Sequence, residues 1–164
     1  MGGRPEIVDP GMFLAGKTEA QRLFFVFGHA EYASAVGDLK DTHNKGLGVE
    51  AGLGVGVNKT FFTGTAGYTW LQNQENAAGN SIGTLRYAPF KIGVRRYVFR
   101  KNIFIKTDIG LANMKPENAS GNSHFTAGVG AGVKFTGFEA LVDYTTVSKW
   151  GSWLSLKAGL TFGL

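Results

Sequence analysis

From about residue 22 to the end of the chain, apolar residues recur at every second position, a period that gives a strand two chemically different faces and does not fit a helix. The clearest run sets Leu47, Val49, Ala51, Leu53, Val55 and Val57 against Gly46, Gly48, Glu50, Gly52, Gly54 and Gly56. The design returns with Phe125, Ala127, Val129, Ala131, Val133 and Phe135, which alternate with His124, Thr126, Gly128, Gly130, Gly132 and Lys134. It closes the chain as Leu154, Leu156, Ala158, Leu160, Phe162 and Leu164 against Trp153, Ser155, Lys157, Gly159, Thr161 and Gly163.

Similar segments near 22–35, 60–71, 88–98, 102–113 and 138–147 bring the expected strands to eight. Residues 81–87 also read as extended, and Leu85 and Tyr87 fall out of phase, which predicts a bulge or bend around Ala88 and Pro89. Polar stretches at 36–45, 72–82, 114–123 and 148–152 read as long connections. Asn58–Lys59, Phe99 to Lys101 and Thr136–Gly137 read as tight turns. Alternating long and short connections in an antiparallel meander put the long loops on one rim and the short turns with both termini on the other, as in outer-membrane barrels.

Alternation alone does not say which face points inward, because a soluble lipocalin-like barrel hides the face that a membrane barrel displays. Three features favour polar inside. The polar face is largely glycine and threonine, which suits the crowded interior of an eight-stranded barrel and differs from a Lys- and Glu-rich solvated surface. The same face carries Glu31, Glu50, Asp108, Glu139 and Asp143 against Lys91, Arg95, Lys106, Lys134 and Lys157, a balance able to neutralise itself across a narrow lumen. The other face is uncharged except for Arg96, placed near a strand end where it can snorkel. Finally, Phe24, Phe62, Phe99, Phe135, Phe138 and Phe162 gather toward the short turns. Tyr32, Tyr68, Trp70, Tyr87, Tyr144, Trp150 and Trp153 gather toward the long loops, as two girdles flanking an apolar band.

The expected fold is therefore all-β, an eight-stranded antiparallel up-and-down transmembrane barrel over residues 22–164. Composition agrees with it. The chain has 164 residues, enough for one domain, with 25 glycines, 4 prolines and no cysteine, so neither disulfides nor thiolate metal sites hold it together. No run of about 18 apolar residues exists to form a membrane-spanning helix. A formal charge of +5 raises the question of nucleic acid, but the densest basic group, Arg95, Arg96, Arg100 and Lys101, straddles a turn without interleaved exposed aromatics. Residues 1–21 lack the alternation, contain Pro5, Pro10, Gly11 and Gly16, and are expected to form a periplasmic segment, with Met1, Gly2 and Gly3 read as a cloning remnant.

The stretch Tyr87 to Met114, YAPFKIGVRRYVFRKNIFIKTDIGLANM, resembles the middle hairpin of the outer-membrane protein β-barrel domain family, with its Pro-containing entry, G-x-R-x-Y-like strand and tight turn. The ending KAGLTFGL is similar to the C-terminal strand recognised for insertion, departing from it in closing on Leu164 rather than an aromatic. By size the chain resembles the small OmpX and OmpA barrels. The resemblance implies a non-porin barrel in the outer membrane of a Gram-negative bacterium, surrounded by lipid and lipopolysaccharide and inserted by the barrel assembly machinery. It further implies a monomer whose variable external loops are free to meet a surface ligand, with no nucleic-acid partner.

No catalytic, cofactor-binding or metal site is expected. His29 lies two residues before Glu31 on the lumen face and reads as a hydrogen-bonded core histidine. His43 and Ser81 fall in the first two long loops, where acyltransferase barrels that remodel lipid A place catalytic residues, yet ordinary loop polarity accounts for both. His124, Thr126 and Glu139 share a face on adjacent strands and loosely resemble the His, Ser and Glu set of lipid A deacylase barrels, with a weaker threonine nucleophile. A lipid A-modifying enzyme is thus the alternative to a structural or surface-interaction barrel. The glycine strings GLGVGV and GVGAGV precede no helix, so they form no phosphate cradle.

Overall fold

Eight strands follow one another in chain order: β1 (Phe24–Val36), β2 (His43–Val57), β3 (Thr60–Asn73), β4 (Leu85–Phe99), β5 (Ile103–Pro116), β6 (Asn122–Phe135), β7 (Phe138–Val147) and β8 (Gly151–Gly163). Each pairs antiparallel with the next, and β8 returns to β1 to close the barrel. The computed structural model describes residues 24–41, 43–73, 83–99, 102–117 and 120–163. The expected periplasmic segment at 1–21, Ser81, Arg100, Lys101 and Leu164 lie outside them.

The register fixes the barrel's shape. From Val26, stepping across paired residues through Leu53, Gly64, Ile92, Ile109, Ala127, Thr146 and Ser152 leads back to β1 at Val36, ten residues further on. A stagger of ten over eight strands tilts them by about 40°, so each residue rises roughly 2.5 Å along the axis. The 13 residues of β1 then span about 33 Å, the thickness of a bilayer's hydrocarbon core.

Strand parity is kept in β4 from Leu85 to Tyr97: Leu85, Tyr87, Pro89, Lys91, Arg95 and Tyr97 all point inward and are buried. No register shift is found at Ala88 and Pro89, although the β3–β4 pairing lapses between Phe90 and Tyr87, and Leu85 and Tyr87 are apolar residues of the lumen rather than out-of-phase residues of the outer face. The register shifts lie instead between His43 and Lys45 and between Tyr97 and Phe99. Two connections expected to be long are shorter, because strand takes up their ends. β5 continues to Pro116 and β6 starts at Asn122, while β7 and β8 are separated only by Ser148, Lys149 and Trp150. The tight turns are where they were expected. Asn102 N–H donates to Phe99 O (2.9 Å), and Thr136 and Gly137 both take positive φ (39° and 92°), the backbone of a mirror-image turn that matches strand twist.

Candidate functional site

The outer wall is an apolar band. Leu53, Val129, Ile92, Ile109 and Leu156 stand exposed at mid-strand, and Phe62, Phe99, Phe135, Phe138 and Phe162 ring the turn end, Phe62 being 71% exposed. Tyr32, Tyr68, Trp70 and Tyr144 ring the loop end. Tyr87 and Trp153 do not join that girdle: strand parity turns both into the lumen, where they stack edge-on at 4.7 Å between centroids. Trp150 is half-buried against the ring of His124. An apolar surface that encircles the molecule is matched to hydrocarbon and not to water.

The lumen has three tiers. At the turn end, Phe25, Phe27, Phe61, Tyr97, Phe104 and Leu141 form an aromatic floor. Phe25 and Phe27 lie over the glycines paired with them, Gly54 and Gly52; a methyl group at either glycine would stand 2.4–2.5 Å from ring carbons. The alternating glycines of β2 thus make room for rings projecting from β1. At the loop end, Ala33, Leu71, Leu85, Tyr87, Met114, Val147 and Trp153 form an apolar cap. Leu39, from the 3₁₀ turn Gly37–Asp41, folds into this cap and is 3% exposed.

Between floor and cap lies the charged tier. Lys157 Nζ bonds Glu50 (2.9 Å), Glu50 lies 3.6 Å from Lys91, and Lys91 lies 3.2 Å from Asp108. Asp108 meets Lys106 (2.9 Å), Lys106 meets Asp143 (3.0 Å), and Asp143 returns to Lys157 (2.9 Å). Six charges of alternating sign therefore close a ring across the lumen. Glu31 is attached to it through Lys157 at 3.9 Å and accepts hydrogen bonds from Ser155 and Thr69. Below the ring, Glu139 takes two hydrogen bonds from Arg95 Nη1 (2.8 and 2.9 Å) and one contact with His29 Nε2 (3.1 Å), while His29 Nδ1 lies 3.7 Å from Glu50. Burying so many ions is tolerable only because each finds opposite charge within 4 Å. Sequence parity puts Lys134 on the same face, and the structure places it half-buried at the turn end, 6.0 Å from the Phe25 ring. His29 also lies among the five carboxylates, between Glu139 and Glu50.

The residues that carried a catalytic reading are not assembled. Thr126 donates to Thr146 O (3.1 Å), which leaves Tyr87 O–H as the donor in their 3.0 Å contact. Thr126 pairs with Val147, and Glu139 lies eight residues further down β7, about 26 Å of strand away. His124 stacks on Trp150 at the loop end. His43 is buried at the start of β2. Among the described residues no group of His, Cys, Asp and Glu has the geometry of a metal site.

The loop ends of β2, β4 and β5 add outward-facing cations, of which Lys45 and Lys115 lie in stretches that the sequence reads as connections. Lys45, Arg86 and Lys115 join Arg96 on the outer wall, all exposed.

No protein-family model and no curated protein matches the sequence. Among the solved structures that share the fold are two small outer-membrane proteins. Neisserial surface protein A superposes with a TM-score of 0.63 at 16% identity, over 86% of this chain and 97% of its own. The Yersinia pestis outer membrane protein Ail in a phospholipid bilayer nanodisc gives 0.60 at 16% identity, over 84% of this chain and 99% of its own. The chain thus has the fold of the small eight-stranded outer-membrane barrels.

Proposed function

We propose that this chain is a non-conducting outer-membrane barrel of a Gram-negative bacterium, anchoring a set of loops that meet a partner at the cell surface. The lumen carries the reading. A ring of ion pairs closed below by aromatic rings and above by Leu39, Trp153 and Met114 occupies the space that water and ions would need, as in other eight-stranded barrels. The barrel is then a support, and what varies between such supports is the loops. Likeness to a Neisserial surface protein and to Ail is the fold-level support for the location. Lipid A modification is disfavoured by the distance from Glu139 to Thr126.

Planar-bilayer recording of the refolded protein is the test, with a conductance close to that of the bare bilayer expected. Steady, large openings would replace the anchor with a pore. Incubation with lipid A and analysis of its acyl chains tests the enzyme alternative, with no acyl chain lost or gained expected.

A further inference from the structure

The cations of the outer wall are unevenly placed. No Asp or Glu faces outward from any of the eight strands, and three of the four outward cations sit at the loop end of β2, β4 and β5. Trp70, Arg86 and Lys115 form one row of paired residues across β3, β4 and β5. Leu47 of β2 pairs with Trp70, and barrel tilt brings Lys45, two residues beyond it, level with Arg86. On the other side of the barrel the corresponding outward positions are Ser34, Ser123, Thr146 and Ser152, of which Ser152 donates to Thr146 (3.0 Å). Among outward strand positions, one half of the rim is cationic and the other is hydroxylated, with exposed Lys149 in the β7–β8 turn above the latter.

Arg86 and Lys115 are directly opposite each other across the β4–β5 ladder, an arrangement that costs stability unless an anion lies between them. None of Lys45, Arg86 and Lys115 forms an ion pair among the described residues. Glu117, the acid of the neighbouring connection, has its carboxylate engaged by Thr84 N–H at 2.9 Å. The exposed indole of Trp70, stacked at 4.6 Å on Tyr68, fixes this row at headgroup depth, where amphipathic rings settle. Lys45 and Lys115 are three strands apart, about 14 Å.

We propose that the β2–β5 side of the loop rim is a docking surface for the phosphorylated headgroup of an outer-leaflet glycolipid. Arg86 and Lys115 share one phosphate and Lys45 reaches a second, with Trp70 lying against the sugar. The proposal rests on the outer-membrane reading and names the lipid that reading leaves open. The partner is a lipid and not a soluble polyanion, because the cations project from the outer wall at the upper edge of the apolar band. A ligand held there has its acyl chains beside Phe90 and Leu111.

The whole chain, folded in neutral detergent, is titrated with fluorescent lipopolysaccharide, with the same lipid after removal of its phosphates, and with heparin. Intact lipid should bind in a salt-sensitive manner. The Lys45→Gln/Arg86→Gln/Lys115→Gln variant should bind it about tenfold more weakly or worse. Arg96→Gln, at the opposite rim, should bind as the wild type does, and Arg86→Lys should retain most of the affinity. The β-sheet circular dichroism signal checks that each variant is folded. Should the triple variant not fold, the wild type's preference for phosphorylated over dephosphorylated lipid decides. Equal binding of the two lipids, unchanged binding by the folded triple variant, or displacement of the lipid by heparin would each overturn the proposal. A protein that fails to insert into phospholipid vesicles would instead overturn the outer-membrane reading.

Discussion

Two regions of the lumen solve the same problem of buried charge in opposite ways. In the mid-barrel ring every ion has at least two partners of opposite sign: Lys157 touches Glu31, Glu50 and Asp143, and Asp108 touches Lys91 and Lys106. At the floor, Arg95 has a single carboxylate, Glu139, and lies 4.3–5.0 Å from the ring centroids of Phe104, Phe27 and Phe25. The ring spreads charge over a redundant circuit. The floor concentrates it on Arg95 and Glu139 beside aromatic rings, where cation–π attraction stands in for further carboxylates around the guanidinium. Redundant charge should tolerate loss, and concentrated charge should not.

The largest effect is expected for Arg95→Met, which strips buried Glu139 of both guanidinium hydrogen bonds. It should cost about 3–5 kcal/mol in urea unfolding from lipid, with part of the loss recovered by adding Glu139→Gln. If the double variant is no better than the single, the pair is not concentrated as described. Next comes Gly54→Ala, whose methyl would press on the Phe25 ring, itself held edge-on against Phe61. Overpacking of about 1–3 kcal/mol should appear in the same measurement. Lys106→Met should cost less than Arg95→Met, about 1–2 kcal/mol, because Asp108 keeps Lys91 and Asp143 keeps Lys157. A loss equal to that of Arg95→Met would break the comparison. The smallest effect, under about 1 kcal/mol, is expected for Gly128→Ala, which meets only the carboxylate tip of Asp108.

Parity made most of the barrel legible. A period of two fixes which side chains share a face, and glycine with balanced charge on one face favours the interior of a narrow barrel, so eight strands and ten inward charges are legible in the sequence. Pairing was not, since it depends on the ten-residue stagger, which no single strand encodes. Strand ends were misread where composition changes along one face. Leu85, Tyr87 and Trp153 are apolar residues at inward positions, and a rule that equates apolar with outward treats them as a bend or as part of a girdle. Lys45 and Lys115 sit in stretches whose polarity reads as loop, although with Arg86 they belong to strands that extend past the hydrocarbon into the headgroup layer. His29 was legible as a bonded core histidine, but its place between Glu139 and Glu50 comes from β7 and β2, neither of which is near it in sequence.

The closed circuit of charges also has an order in time. Its members come from β2, β4, β5, β7 and β8, and the bond from Lys157 to Glu50 spans the seam where the last strand meets the first. No circuit exists until that seam zips, so in a partly inserted chain these ions stay hydrated and their water leaves in the final step. Contacts made that late lie on the native side of the folding barrier, so they slow unfolding without hastening insertion. The ring then acts as a latch whose strength is measured by how long the finished barrel lasts.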